Sequence, residues 1–310
     1  MSDLPKLIAT SVVRGSQQGE SHGGVYLIDF ENQQIQQTVD WNKGDIDFTG
    51  RGWDRGLRGI AFYKNDIYIA ASDELFVYDQ DFQIQHSFRN RYLKHCHEIA
   101  IRDHLMLLTS TGYDSLLIFD LERRQFVRGL WLAKAETGWE SKAYDPNAEN
   151  GPPFINQLHI NCVTCNNDGV FVSGLRAGAL LHLGGDLKPS EVCNLPEGIH
   201  NAQPYRDGVI FNDTHGNAVR YVARDGTEAS FRVQTYDPDQ IEFAGVDDSR
   251  IARQGFGRGL CAAGDTLIIG GSSPSTVSVY DVDGNQRITA VNLSMDIRNA
   301  IHGLEVWPFD

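Results

Sequence analysis

The chain has 310 residues, 41% of them hydrophobic, and a formal net charge of −14. That is apolar material for a sizeable core. The acidic balance argues against a nucleic-acid partner, which needs a basic footprint, and against an anionic membrane surface. No apolar run approaches the length of a bilayer span, and the opening MSDLPKLIATSVVRG lacks the basic and apolar regions of a signal peptide. Five cysteines without framework spacing suit a reducing compartment, so a soluble cytoplasmic protein is expected.

Short apolar runs ending in Asp, Asn and Gly turns fill the chain, and helical periodicity is scarce. The N-terminus supplies LIATSVV, GGVYLIDF and IQQTVDW, three strands with Asp29 at the end of the second. From Arg58 a complete unit follows: GIAFY, a KND turn, IYIAAS, an SDE turn, LFVYD and finally IQHSFR. Four short strands joined by tight turns form the meander of one propeller blade. The unit recurs from His97, His159, His200 and Arg258, and its third strand repeatedly ends in Asp, at Asp79, Asp120 and Asp281. The chain closes with IHGLEVW, a first strand with nothing after it, which the three N-terminal strands complete.

A ring that joins its first and last repeats leaves few exposed edges. The expectation is one all-β domain over residues 1–310, a six-bladed β-propeller. Its blade cores lie near 58–90, 97–132, 159–195, 200–233, 258–293, and 301–307 plus 7–41. A linear β-solenoid is the alternative architecture.

The pattern resembles six-bladed propellers of the gluconolactonase, paraoxonase and NHL-repeat kind. It also resembles a bacterial propeller family with a His-bearing first strand, which implies no function. The first resemblance implies that first strands line a central channel, beginning at the face where the loops between second and third strands also arrive. Arg58, His97, His159, His200, Arg258 and His302 then share one rim. The long connections 42–57, 134–158 and 235–257 reach the same rim and could lid a pocket, with Trp53, Trp139 and Tyr144 among their residues. Packing between blades is the plainer role for these loops.

Four imidazoles and two guanidiniums at an equivalent inner position are costly to bury unless something compensates them. An imidazole Nε2 lies roughly 4.5 Å from its own Cα, and His–metal bonds are about 2.0–2.1 Å, so ligands on strands some 6–7 Å from an axis would converge on it. His97, His159 and His200 are consecutive and read as metal ligands; Arg258, His302 and Arg58 are the next three and read as an anion cradle. His302 would be either a fourth ligand or a general acid/base, with Arg58 and Arg258 beside it in the catalytic set. Residue type leaves the divalent transition metal open, with Fe or Zn expected. Arg176, Tyr113 and His215 are further candidates for substrate contact, and Asp114 lies on an equivalent loop.

The site is similar to that of peptidylglycolate-type lyases, which implies three His on a zinc with an Arg beside it. Carotenoid cleavage oxygenases, with four His on iron, share the ligand type but have seven blades. The sequence lacks the acidic and Asn ring of calcium-dependent lactonases; Glu98, Asn161 and Asn201 are the only near candidates.

The expected function is therefore a metal-dependent lyase or hydrolase acting on a small anionic substrate. The alternatives are a non-haem iron oxygenase, or a metal-free propeller that binds an anionic ligand or a protein partner. Neither nucleic acid nor membrane is an expected partner. Cys162 and Cys165 in NCVTC face opposite sides of a strand and read as packing residues. His22 and His215 read as solvated loop residues, Asp213 as either a turn residue or a support for a ligand histidine, and GFGRG at 255–259 as the end of a loop before a strand.

Overall fold

A computed structural model describes residues 4–17, 19–42 and 56–309. Trp53 and most of the 42–57 connection lie outside the described residues. Six antiparallel sheets make up an all-β, six-bladed β-propeller; the described residues outside them contribute three single-turn 3-10 helices and no α-helix. No helix among them is long and apolar enough to cross a membrane.

Contacts divide the chain into two compact units, residues 1–59 with 205–310 and residues 60–204. In the first unit the C-terminal strand Asn299–Val306 pairs with Leu7–Val13, which continues to Gly24–Asp29 and Gln34–Asp40. The split blade thus closes as its sequence implied. The sheet Leu260–Ala263, Leu267–Ser272, Thr276–Asp281 and Gln286–Asn292 packs against it through Leu7, Ala9, Ile269, Val279, Ile301 and Leu304. The second unit holds the sheets that open with Ile60–Tyr63, Ile99–Arg102 and Ile160–Asn166. The unit boundary falls in the strand Ile199–Tyr205.

Each blade grades from apolar to polar along its strand order. Leu7–Val13 and Ser115–Asp120 are buried throughout, whereas the outer strands Gln34–Asp40 and Ile84–Arg89 are mostly exposed. Strands covered on both faces carry nearly continuous apolar runs, and the edge strand carries Gln, His and Asp where pairing with another chain is to be avoided.

One element exceeds the sequence expectation. The 134–158 connection is not all loop, because Gly138–Tyr144 adds a fifth strand beside Gln125–Ala135. Tyr144 faces Gly129 in register, and a Cβ on Gly129 would lie 2.1 Å from the Tyr144 ring.

The recurring Asp at the end of the third strand shapes the next turn. Asp120 Oδ1 accepts the backbone N–H groups of Glu122 at 3.0 Å and Arg123 at 2.8 Å. Asp79, Asp281 and Asp29 take the same role toward their own turns. These donors favour the ionised carboxylate. The Arg123 N–H holds the Asp120 carboxyl below its ordinary range, and the Asn32 side chain does the same for Asp29.

A second recurring demand falls where the C-terminal strand meets Arg58. Thr10 Oγ1 donates to Arg58 O at 2.6 Å and accepts from Gly303 N at 2.8 Å. A Cβ at Gly303 would stand 2.3 Å from Arg58 O, so only glycine fits beside His302.

Two outcomes follow from these contacts. Gly303→Ala is expected to destabilise the protein by about 2 kcal/mol, because the contacting atom is backbone and cannot turn aside; urea unfolding equal to wild type would contradict the close approach. Asp29 and Asp120 have folded pKa values below their unfolded ones. Their contribution is therefore present above about pH 4 and is lost as pH falls through the lower folded values. Asp29→Asn and Asp120→Asn should flatten the acid limb of the stability–pH curve, and an unchanged limb would contradict this.

Candidate functional site

The ring residues differ in where they fall against the bounds of their first strands. Arg58, His97 and Arg258 stand two residues before their strands and His159 one before, while His200 and His302 lie inside theirs. Left-handed backbone occurs beside or at three of them: φ is +55° at both His95 and His159 and +56° at Asn201. Non-glycine residues adopt that conformation only where surrounding contacts hold it.

In the second unit, Asp114 supplies such contacts for His159. Its Oδ1 accepts His159 N at 2.8 Å and its Oδ2 accepts the N–H groups of Leu158, at 3.0 Å, and Gln157. Asp114 is buried, and it fixes the chain entering the strand Ile160–Asn166. Arg176 braces the same segment, donating from Nε to Gln157 O at 2.9 Å and from Nη2 to Asn156 O and Asn156 Oδ1.

These bonds settle two tautomers. Arg176 can only donate, so the Asn156 atom it meets is an acceptor. His159 Nδ1, 3.0 Å from that same atom, must carry hydrogen. His97 Nδ1 lies 2.7 Å from His95 O, a pure acceptor, and 3.0 Å from Thr111 Oγ1, whose own hydrogen goes to Ile160 O. His97 Nδ1 therefore donates as well. In the neutral form both rings place the lone pair on Nε2, the arrangement of a base or a metal ligand. The two rings meet edge to face with centroids 5.5 Å apart.

His200 is buried on Ile199–Tyr205. Beside it, Asn201 Nδ2 donates to Glu98 Oε1 at 2.7 Å, and Asn161 Nδ2 donates to Ile199 O at 3.1 Å. The three residues named only as near candidates for a lactonase ring thus tie three inner strands together. Among the described residues no three His, Cys, Asp or Glu side chains are set to hold a metal ion together.

In the first unit, Arg258 Nη1 donates to His302 Nε2 at 2.6 Å. A guanidinium has no acceptor, so His302 carries its hydrogen on Nδ1 and its Nε2 is occupied. As a fourth ligand or a general acid it would first have to leave Arg258. His302 and Arg58 are buried and Arg258 half-buried.

The remaining candidates are dispersed. Tyr113 packs edge to face on Tyr92 and Phe154, each at 5.3 Å, and Phe154 also approaches His95. Phe154 is 57% exposed, an apolar surface beside the His97–His159 segment that the sequence did not single out. His215 is exposed, as expected. His22 differs from expectation: it is fully buried, with Nδ1 against the buried Ser16 Oγ. Asp213 shapes its turn through Gly216 N at 2.7 Å and pairs with Arg220 at 3.1 Å. Cys162 is buried and burial pushes the half-buried Cys165 thiol up to about 11, in keeping with packing roles.

No family model matches the chain, and no curated protein does. Solved structures are similar to it. A nidogen/laminin complex aligns at 7% identity over 97% of each chain with a TM-score of 0.60. A protein of unknown function from Bacteroides caccae aligns at 10% identity over 97% of this chain and 98% of that one, with a TM-score of 0.57. The C-terminal WD40 domain of Sif2 aligns at 11% identity over 96% and 90%, with a TM-score of 0.53. At such identities the likeness concerns the fold alone. By its sheets and by these likenesses, the chain is an all-β, six-bladed β-propeller.

Proposed function

We propose that this propeller binds a small anionic molecule and that, within the second unit, His97 and His159 supply groups able to act as bases or ligands. The observation that carries the reading is the pair of Nδ1 hydrogen bonds, to His95 O and to Asn156 Oδ1, which put both lone pairs on Nε2. Each ring is held in one tautomer by backbone or by a braced amide, which is the arrangement of a base or a ligand. Within the first unit, Arg58 and Arg258 are proposed to hold an anion in their own right, through the planar fork that suits carboxylate and phosphate.

A metal-dependent lyase or hydrolase is the second reading. It is favoured by the same bonds, since ligating imidazoles commonly donate their other N–H to a carbonyl. Zn or Fe would be held by His97, His159 and His200 and would act as a Lewis acid or activate water; with iron, oxygen chemistry is the counterpart. This reading adds His200, on the strand Ile199–Tyr205, to the pair as a third ligand.

Metal analysis separates the two. Protein purified without chelators is expected to hold no stoichiometric transition metal and to take up neither Zn(II) nor Fe(II) tightly. Stoichiometric metal that disappears in a His97→Ala/His159→Ala double variant would replace the first reading with the second. Anion binding is checked by melting temperature against a panel of small carboxylates and phosphate esters. A concentration-dependent rise that weakens in Arg58→Ala is expected, and no rise with any member of the panel would contradict the reading.

A further inference from the structure

The strand Gly138–Tyr144, which the histidine chemistry leaves unused, builds part of a pocket in the second unit. In its register with Gln125–Ala135, Lys142 stands opposite Trp131 and Tyr144 opposite Gly129. Side chains alternate along a strand, so Trp131, Lys142 and Tyr144 share one face of the pair. The returning chain completes the lining with Gly151, Pro152 and Pro153, around a space of about 150 Å³.

That returning chain is pinned. Tyr92 Oη donates to Ala148 O at 2.9 Å and accepts from Gly151 N at 2.7 Å. Asn90 Nδ2 donates to Pro146 O at 3.1 Å, and Asn147 Nδ2 donates to Phe126 O at 3.2 Å. A Cβ at Gly151 would stand 2.3 Å from the Tyr92 ring, so only glycine fits there. Tyr144 packs edge to face on the same ring, with centroids 5.2 Å apart. A pocket held in this way is preformed, and filling it orders little of the chain.

Two properties of the lining select an occupant. Indole, phenol and two pyrrolidine rings offer flat apolar surface, and an apolar cavity of about 150 Å³ admits a molecule the size of benzene. Burial raises the Tyr144 phenol above its ordinary range, which keeps it uncharged. Lys142 is exposed and forms no ion pair among the described residues, so its ammonium can meet an anion at the rim. We infer that this pocket binds a small aromatic carboxylate, its single ring against Trp131, Tyr144 and the two prolines and its carboxylate beside Lys142. The inference goes beyond the preceding reading, since none of these lining residues belongs to the ring of six.

The test is proton–nitrogen NMR of the full chain labelled at tryptophan, with Trp131→Phe assigning the Trp131 indole signal, titrated with benzoate, acetate and benzyl alcohol. Benzoate is expected to shift that signal to saturation, and acetate, which lacks the ring, to bind at least about tenfold more weakly. Lys142→Gln should weaken benzoate about threefold, the scale of an exposed ion pair, and leave benzyl alcohol as in wild type. Lys142 is exposed, so this variant reads the charge without disturbing the core. Benzoate binding is expected to persist in Arg58→Ala. No shift of the Trp131 signal with benzoate, acetate binding as tightly as benzoate, or unchanged benzoate affinity in Lys142→Gln would each overturn the inference. Loss of benzoate binding in Arg58→Ala would also overturn it, by assigning the anion to the first unit and leaving the preceding reading in place.

Discussion

A buried neutral imidazole has one hydrogen to give and one lone pair to fill, and the group that meets Nδ1 decides what Nε2 can do. That constraint governs the candidate site. At His97 the partner is the carbonyl of His95, supported by a Thr111 hydroxyl already committed to Ile160 O. At His159 it is Asn156 Oδ1, whose identity as oxygen is fixed by Arg176. The surroundings serve these two bonds. Asp114 gathers three successive N–H groups ahead of the strand, and the left-handed turns at His95 and His159 place the rings.

In the first unit the same rule runs through the other nitrogen. Arg258 meets His302 on Nε2, so the reactive nitrogen is covered and the hydrogen is forced onto Nδ1. Arg258 also stands over Phe256 together with the guanidiniums of Arg14 and Arg253. The ring that reads as six equivalent positions is thus chemically divided, with imidazole lone pairs in one unit and guanidinium donors in the other.

The blades were legible because their determinants are local. Alternating apolar runs, Asp79, Asp120 and Asp281 at the turns, and the orphan strand at Ile301–Trp307 all act over a few residues, so the split blade could be paired from sequence. The fifth strand Gly138–Tyr144 was not, since its place depends on a Tyr144 ring lying over Gly129; the alternation in GWESKAY was the available signal. Histidine positions were legible, but their tautomers were not, because Asn156, Arg176 and Thr111 act through folded contacts. Glu98, Asn161 and Asn201 were visible as polar residues beside the ring and invisible as the bonds joining its strands. The gathering of arginines on Phe256 joins residues from both ends of the chain, which no local pattern records.

Nitrogen-15 NMR of histidine-labelled protein at neutral pH tests the central claim most directly, with His97→Gln and His159→Gln used for assignment. The account predicts that both rings are neutral with hydrogen on Nδ1 and the lone pair on Nε2. Hydrogen on Nε2 at either ring would mean that the bonds to His95 O and Asn156 Oδ1 do not set the chemistry of the site.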